Sequence, residues 1–379
     1  MRRLEADWLN AEATQRVFDL LSSYPTFVVG GCVRNELLGE PIKDVDFATA
    51  APPSEVLRLA EAAQLRAVPT GIEHGTVTLI IGDDPIEVTT FRHDVETDGR
   101  RAVVAFAEGI EDDARRRDFT INAIYADRDG ELHDPVEGLP DIETRRIRFI
   151  EDANQRVRED YLRSLRFFRF FAWYGDPEGG LDPDALDAIS RNLPGLETLS
   201  KERVGSELLR LLGAPDPAPA LAAMRTTGVL PVVLPGSDDA AIGLLVELER
   251  VARVAPDPIR RLAALGGEAD GLRLSRAHLA RYHLLRDHVG DAPEEVGYRH
   301  GVDTGMDVLL VSDALLGRSF SKNAFIQLER GARAEFPIKA ADLMPKLQGK
   351  ALGEKLREME TAWIESGFTL SRETLLSKG

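Results

Sequence analysis

The chain has 379 residues, 43% hydrophobic and 29% charged, enough apolar material to bury a core and enough length for two or three domains. Its net charge of −17 excludes a protein coated in basic surface, and its single cysteine, Cys32, excludes an intrachain disulfide. No stretch reaches the roughly 18 consecutive apolar residues of a membrane helix, and Met1-Arg2-Arg3-Leu4-Glu5-Ala6-Asp7 meets acidic residues before any apolar run, so no membrane partner and a cytoplasmic location are expected.

Residues 11–22 read as a short amphipathic helix. Thr26-Phe27-Val28-Val29 is an apolar run ending at Gly30-Gly31, a strand entering a tight turn. Val33 to Leu38 reads as a helix closed by Gly39, and Val45 to Thr49 as a second strand. Pro52-Pro53-Ser54 opens another helix. Thr76–Ile81 and Ile86–Phe91 read as strands joined by a turn at Gly82-Asp83-Asp84-Pro85. After Arg148 strand signals mostly stop: residues 155–174 are expected as one helix, Leu199–Leu212 as another, and Gly213 to Pro219 marks a candidate boundary. The expected class is α+β, with a mixed-sheet head followed by helices.

The chemistry concentrates in the head. Glycines let backbone N–H groups approach a phosphate because no Cβ intervenes, and the start of the following helix adds partial positive charge. Arg34 on that helix is expected to pair with triphosphate oxygens. Asp44 and Asp46 lie one residue apart, so in an extended strand their carboxylates share a face. Two such carboxylates beside a phosphate cradle suit Mg²⁺-dependent nucleotidyl transfer. Glu87 is a candidate third metal ligand, its alternative being an exposed strand carboxylate. Each element alone has a plain reading, a turn or a surface acid; their combination in order carries the argument.

Arg116-Arg117-Asp118-Phe119-Thr120-Ile121-Asn122-Ala123 offers a second constellation. Arg117 is expected to neutralise triphosphate charge, Asp118 to orient Arg117 or touch the sugar, and Asn122 to bond a ribose hydroxyl. From Arg145 to Arg169 eight arginines stand against four acids, a local +4 on an acidic chain. Within it, Asp160 and Arg163 lie three apart and are expected to share a helix face. One reading is an i,i+3 ion pair; the other is base recognition, since Asp accepts from the exocyclic amino groups of C and A and Arg donates to ring nitrogen or carbonyl acceptors. Arg166, one turn on, is grouped with them as a nucleotide contact. Phe167, Phe168, Phe170 and Phe171 read as core rather than as base-stacking platforms. The histidines at 278, 283, 288 and 300 form no metal-ligand pattern in sequence.

Together, Gly30-Gly31…Arg34…Asp44-x-Asp46, Arg117-Asp118-Phe119-Thr120-x-Asn122-Ala123, Glu159-Asp160-x-x-Arg163 and Leu199 to Glu207 resemble the motifs of class II tRNA nucleotidyltransferases (CCA-adding enzymes) and bacterial poly(A) polymerases. The resemblance covers about residues 26–212. It implies a catalytic head over 1–148, a helical neck carrying base recognition over 149–213, and a helical, RNA-binding body and tail over 214–379. It also implies tRNA, CTP and ATP as partners, Mg²⁺ as cofactor, the pair Asp160 and Arg163 as a protein template for the base, and a flexible loop between Phe91 and Arg115. No protein partner is implied. The chain departs from the usual Arg-Asp at Arg34-Asn35, with little expected effect. The rivals are poly(A), CC-only or A-only addition, an RNA-binding protein with an inactive head, and a nucleotidyltransferase acting on a small molecule.

Overall fold

A computed structural model describes residues 2–98, 101–107, 109–344 and 346–377. The chain divides into two compact units, Met1–Pro235 and Gly236–Gly379.

The first unit opens with α1 (Glu12–Leu20), then alternates β1 (Thr26–Val29), α2 (Gly31–Leu38), β2 (Asp46–Thr49) and α3 (Pro53–Ala62). β3 (Arg66–Gly71), β4 (Thr76–Ile81) and β5 (Asp84–Thr90) follow, then a separate two-stranded ribbon of β6 (Arg92–Asp98) and β7 (Arg101–Phe106). α4 (Ile110–Arg115), a 3₁₀ turn at Thr120–Asn122, β8 (Tyr125–Ala126), β9 (Leu132–His133) and α5 (Gly138–Glu143) complete the mixed α+β part. The seven-stranded sheet runs β3-β4-β5-β2-β1-β8-β9. Among the described residues only β2 and β5 pair in parallel, and this join positions the site. β1 buries Val28 and Val29, and β4 buries Val77, Leu79 and Ile81 on one face.

Two differences from the sequence reading have local causes. β3 carries Arg66 and Pro69 and lies at the sheet edge, where a missing N–H is tolerated, so its pattern is masked. Part of the Phe91–Arg115 segment, expected as a loop, pairs as the β6–β7 ribbon; residues 99, 100 and 108 lie outside the described residues.

The rest of the first unit is helical. The single helix expected over 155–174 is two: α6 (Ala153–Glu159) and α7 (Leu162–Tyr174). Asp160 between them is extended, with φ −152° and ψ 107°. Its Oδ1 accepts the Leu162 N–H at 3.1 Å, so the residue starts the next helix instead of continuing the last. α8 (Pro183–Arg191), α9 (Leu193–Leu196), α10 (Lys201–Leu212), α11 (Ala218–Thr226) and α12 (Val229–Val233) follow. The Ser200 hydroxyl caps α10 by accepting the Arg203 N–H. α7 is fastened by aromatic packing: Phe119 lies 5.0 Å from Phe149 and 4.9 Å from Phe170, and Phe149 stacks on Phe167 at 5.7 Å, centroid to centroid. Phe167, Phe168, Phe170 and Phe171 are all core, as expected.

The second unit comprises α13 (Ile242–Ala252), α14 (Pro258–Leu265), α15 (Arg276–Asp287), α16 (Pro293–Leu315), α17 (Lys322–Ala332), α18 (Ala340–Leu343), α19 (Gly349–Glu365) and α20 (Arg372–Ser377). Its core includes Leu245, Leu262, Val308 and Leu328, with a second cluster around Ile338, Met359, Trp363 and Leu375. α16 and α17 approach so closely that a Cβ on Gly297 would run into the Leu328 carbonyl. Glu249 and the guanidinium groups of Arg260 and Arg261 form a buried ionic cluster, with Asp307 2.7 Å from Arg260. Among the described residues no helix is long and apolar enough to cross a membrane.

Candidate active site

The strand β1 delivers the chain into Gly30 at φ 82°, ψ −125°, a conformation that a side chain would strain. α2 starts at Gly31 and has no side-chain cap, so its first N–H groups are left for a ligand. Two guanidinium groups border this turn. A Cβ on Gly30 would stand 3.7 Å from Arg117 Nη1, and one on Gly31 would stand 3.9 Å from Arg34 Nη2.

Beside the turn lies the parallel join. Asp46 opens β2 and is directly opposite Glu87 on β5, so both carboxylates leave the same face of the sheet. Both residues are open to solvent, while Phe47 and Val88 beside them are buried. Asp44 precedes the strand by two residues, outside the regular alternation expected for it, yet its charge is felt at Asp46. The Asp46 carboxyl is pushed up to about 6, first by lost hydration and then by the negative charge of Glu87, with Asp44 adding to it and Arg117 opposing. Because water still reaches Asp46, the like charges are the more durable part of this shift. Among the described residues no three His, Cys, Asp or Glu side chains converge as a ready-made metal cage. A repelling carboxylate pair open on one side fits Mg²⁺ in another way, since that ion takes one or two carboxylates and fills its shell with waters and phosphate oxygens.

The predicted phosphate and sugar contacts turn out to be bonded mainly to one another. Arg34 is buried; its Nη1 donates to Asn122 Oδ1 at 2.6 Å, its Nε and Nη2 to Asn35 Oδ1 at 3.1 and 2.8 Å, and its Nη2 to the Tyr174 hydroxyl at 3.0 Å. Burial lowers its pKa, against the pull of Tyr174 and Asp118. Asn122 donates to Asp118 Oδ1 at 3.0 Å, and Asp118 Oδ2 receives Arg166 Nε at 2.7 Å. A continuous chain therefore runs from half-buried Arg166 through buried Asp118 and Asn122 to Arg34. Asp118 does not orient Arg117 as expected; Asp113 does, with its Oδ2 2.9 Å from Arg117 Nη2 and 2.8 Å from the Tyr125 hydroxyl. Burial would raise Asp113, but Arg117 and Arg116 overcome it and hold the carboxyl at about 2. Against the cost of burial, Asp113 and Tyr125 in turn raise Arg117, which stays charged.

Asp160 and Arg163 do not share a helix face, because the helix breaks at Asp160. Asp160 Oδ2 is held by Arg203 Nη2 at 2.7 Å, from the first turn of α10. Arg163 turns the other way, donating to Glu159 Oε2 at 2.6 Å and to the carbonyls of Arg156 and Arg116 at 3.1 and 3.2 Å. It thus reaches the residue next to Arg117, which joins α7 to the Gly30 side of the site. Both residues are half-buried. Sequence reasoning assigned no role to Asp113, Tyr125, Tyr174 or Arg203, whose partners lie 12, 8, 140 and 43 residues away. Only Arg203 carried a signal, as part of the Leu199–Glu207 motif.

Residues 26–148 match the family model described as the poly A polymerase head domain, and residues 180–240 that described as a probable RNA and SrmB-binding site of polymerase A. The chain is 33% identical, over 92% of its own length and 86% of the relative's, to a Danio rerio protein named CCA tRNA nucleotidyltransferase 1, mitochondrial. It is 41% identical over 211 residues to a CCA-adding enzyme of Streptococcus gordonii, a match spanning 55% of this chain and 51% of that one. The crystal structure of the Bacillus stearothermophilus CCA-adding enzyme in complex with CTP superimposes with a TM-score of 0.74 at 27% identity, covering 97% of this chain and 98% of the other.

Proposed function

The chain belongs to the family of tRNA nucleotidyltransferases and poly(A) polymerases, and from that premise we propose that it adds C, C and A to the 3′ end of tRNA, using CTP and ATP without a nucleic-acid template and releasing pyrophosphate. The observation that carries this reading is the register of Asp46 against Glu87 beside the Gly30 turn and Arg117.

The N–H groups after Gly30 and the charge of Arg117 receive the triphosphate, whose α-phosphorus bonds to the 3′-hydroxyl oxygen as the bond to pyrophosphate breaks. Asp44 and Asp46, with Glu87, hold Mg²⁺. The chemistry supplied by the bound ion is a lowered hydroxyl pKa and neutralised charge on the departing pyrophosphate. Arg34, Asn122, Asp118 and Arg166 keep the turn and α7 in one geometry, and Arg34 keeps one Nη1 proton free for a phosphate. Asp160 and Arg163 select the base, with Arg203 holding the Asp160 carboxylate in place. Residues 1–148 carry the chemistry, 149–213 the choice of base, and 214–379 the hold on RNA, which weakens as salt rises. The cytoplasm is the compartment assigned here. The relatives from Danio rerio, Mus musculus and Homo sapiens carry mitochondrial names, and cell fractionation distinguishes the two locations.

The test is to incubate the protein with tRNA ending before CCA, with CTP, ATP, each alone and both together, and to sequence the products. CCA from the mixture and CC from CTP alone are expected. A run of A residues, or arrest after CC with both nucleotides present, overturns the assignment. Asp44→Ala should abolish every product; unchanged activity would favour a head that does no chemistry.

A further inference from the structure

We infer that His288 and His300 form a second cation site, separate from the carboxylates of the head, that takes a divalent transition-metal ion of the imidazole-seeking kind, such as Ni²⁺ or Cu²⁺. His288 ends α15 and His300 lies twelve residues on, in the early part of α16. Their Nε2 atoms nevertheless stand 3.0 Å apart, with ring centroids 4.5 Å apart and planes inclined by 55°. Two imidazoles that ligate one ion at about 2.0–2.1 Å and at a right angle bring their nitrogens to about 3 Å. A straight N–H···N bond of the same length would hold the ring centres about 5 Å apart, so the rings converge on a point to one side of the line between the nitrogens.

The surroundings fit such an ion. Asp291 Oδ2 lies 2.8 Å from His288 Nδ1. A carboxylate on Nδ1 keeps the proton there and leaves Nε2 as a lone-pair donor, the usual outer partner of a metal-bound histidine. Both rings are half-buried, which leaves room for water at the remaining coordination positions. Among the described residues no third His, Cys, Asp or Glu joins them in a cage. Two imidazoles completed by water favour ions of this class over Mg²⁺. His300 directly precedes Gly301, whose φ of 76° and ψ of −179° interrupt the helical path of α16. A bound ion would clasp that interruption to the end of α15.

The full-length protein is titrated with NiCl₂ at neutral pH, in excess MgCl₂ to occupy the hard oxygen sites. One Ni²⁺ per chain is expected by calorimetry, with a thermal midpoint that climbs as NiCl₂ is raised. His288→Gln and His300→Gln should each weaken binding at least about tenfold, and Asp291→Asn about ten- to a hundredfold, with circular dichroism unchanged. Electron paramagnetic resonance of the wild type with one equivalent of CuSO₄ should show two imidazole nitrogens, a readout that needs no variant to fold. A copper spectrum lacking two imidazole nitrogens overturns the site, as does Ni²⁺ affinity undiminished in the double His→Gln variant. So does the absence of saturable Ni²⁺ binding below about 1 mM.

Discussion

Asp46 stands where its own charge is least favourable. Its carboxyl titrates near 6 in the folded chain, above the ordinary value of 3.8. The native state therefore holds a proton that the unfolded state has released between those values, and stability from this group is lost as pH rises through 6. Asp46→Asn is accordingly expected to be inactive yet more stable than the wild type above pH 6 without divalent ions, by about 1 kcal/mol after allowing for solvent screening. The gain should shrink towards pH 4 and on adding MgCl₂; thermal unfolding at several pH values with and without chelator checks it. Activity of the wild type should fall on acidification as this carboxylate is protonated, with a midpoint that moves down as MgCl₂ is raised, because the cation and the proton compete for it. At Asp160 the relevant neighbour is Arg203, 2.7 Å away. Arg203→Ala should free the carboxylate and raise misincorporation of U and G by about tenfold, an effect of about 1.4 kcal/mol, while CTP binding changes little; single-nucleotide incorporation assays on CC-ended and unextended tRNA measure both.

Among the elements, the β1–α2 turn and the α6–α7 break decide the geometry. Gly30 occupies φ 82°. Gly30→Ala would place a Cβ 3.7 Å from Arg117 Nη1 and add backbone strain of about 1 kcal/mol or more. The fold should survive while kcat/KM falls at least tenfold, since the N–H groups and Arg117 would no longer meet a triphosphate together; steady-state kinetics alongside circular dichroism tests this. The break at Asp160 lets Arg163 turn back to Glu159 and Arg116 while Arg166, one turn later, meets Asp118. In an unbroken helix Asp160 and Arg163 would have faced each other, three residues apart.

The molecule as a whole reconciles a net charge of −17 with an anionic substrate by using arginine locally: Arg117 stays charged at the turn, and α7 carries Arg163, Arg166 and Arg169, each with a carboxylate partner. The same habit stabilises the second unit, where Glu249 lies buried between Arg260 and Arg261. Glu249→Ala would remove the carboxylate that two buried guanidinium groups share, leaving Arg260 with Asp307, and should lower unfolding free energy by about 3 kcal/mol, measured by urea unfolding of the full chain. Much of the first unit was legible in advance. Thr26–Val29 and Thr76–Ile81 are strands over the expected residues, Gly30-Gly31 turns, and the phenylalanines of α7 are core, because each depends on period, turn chemistry or apolarity within a few residues. Glu87 was a candidate partner of Asp46 from sequence, but its register opposite Asp46 was not legible, nor were Asp113 on Arg117, Arg203 on Asp160 and His288 on His300, since register and side-chain partners depend on contacts between distant segments. Local composition thus disclosed which chemical groups the protein owns; packing alone chose which of them stand within reach of one another, because Coulomb and hydrogen-bond energies depend on distance through space, not along the chain.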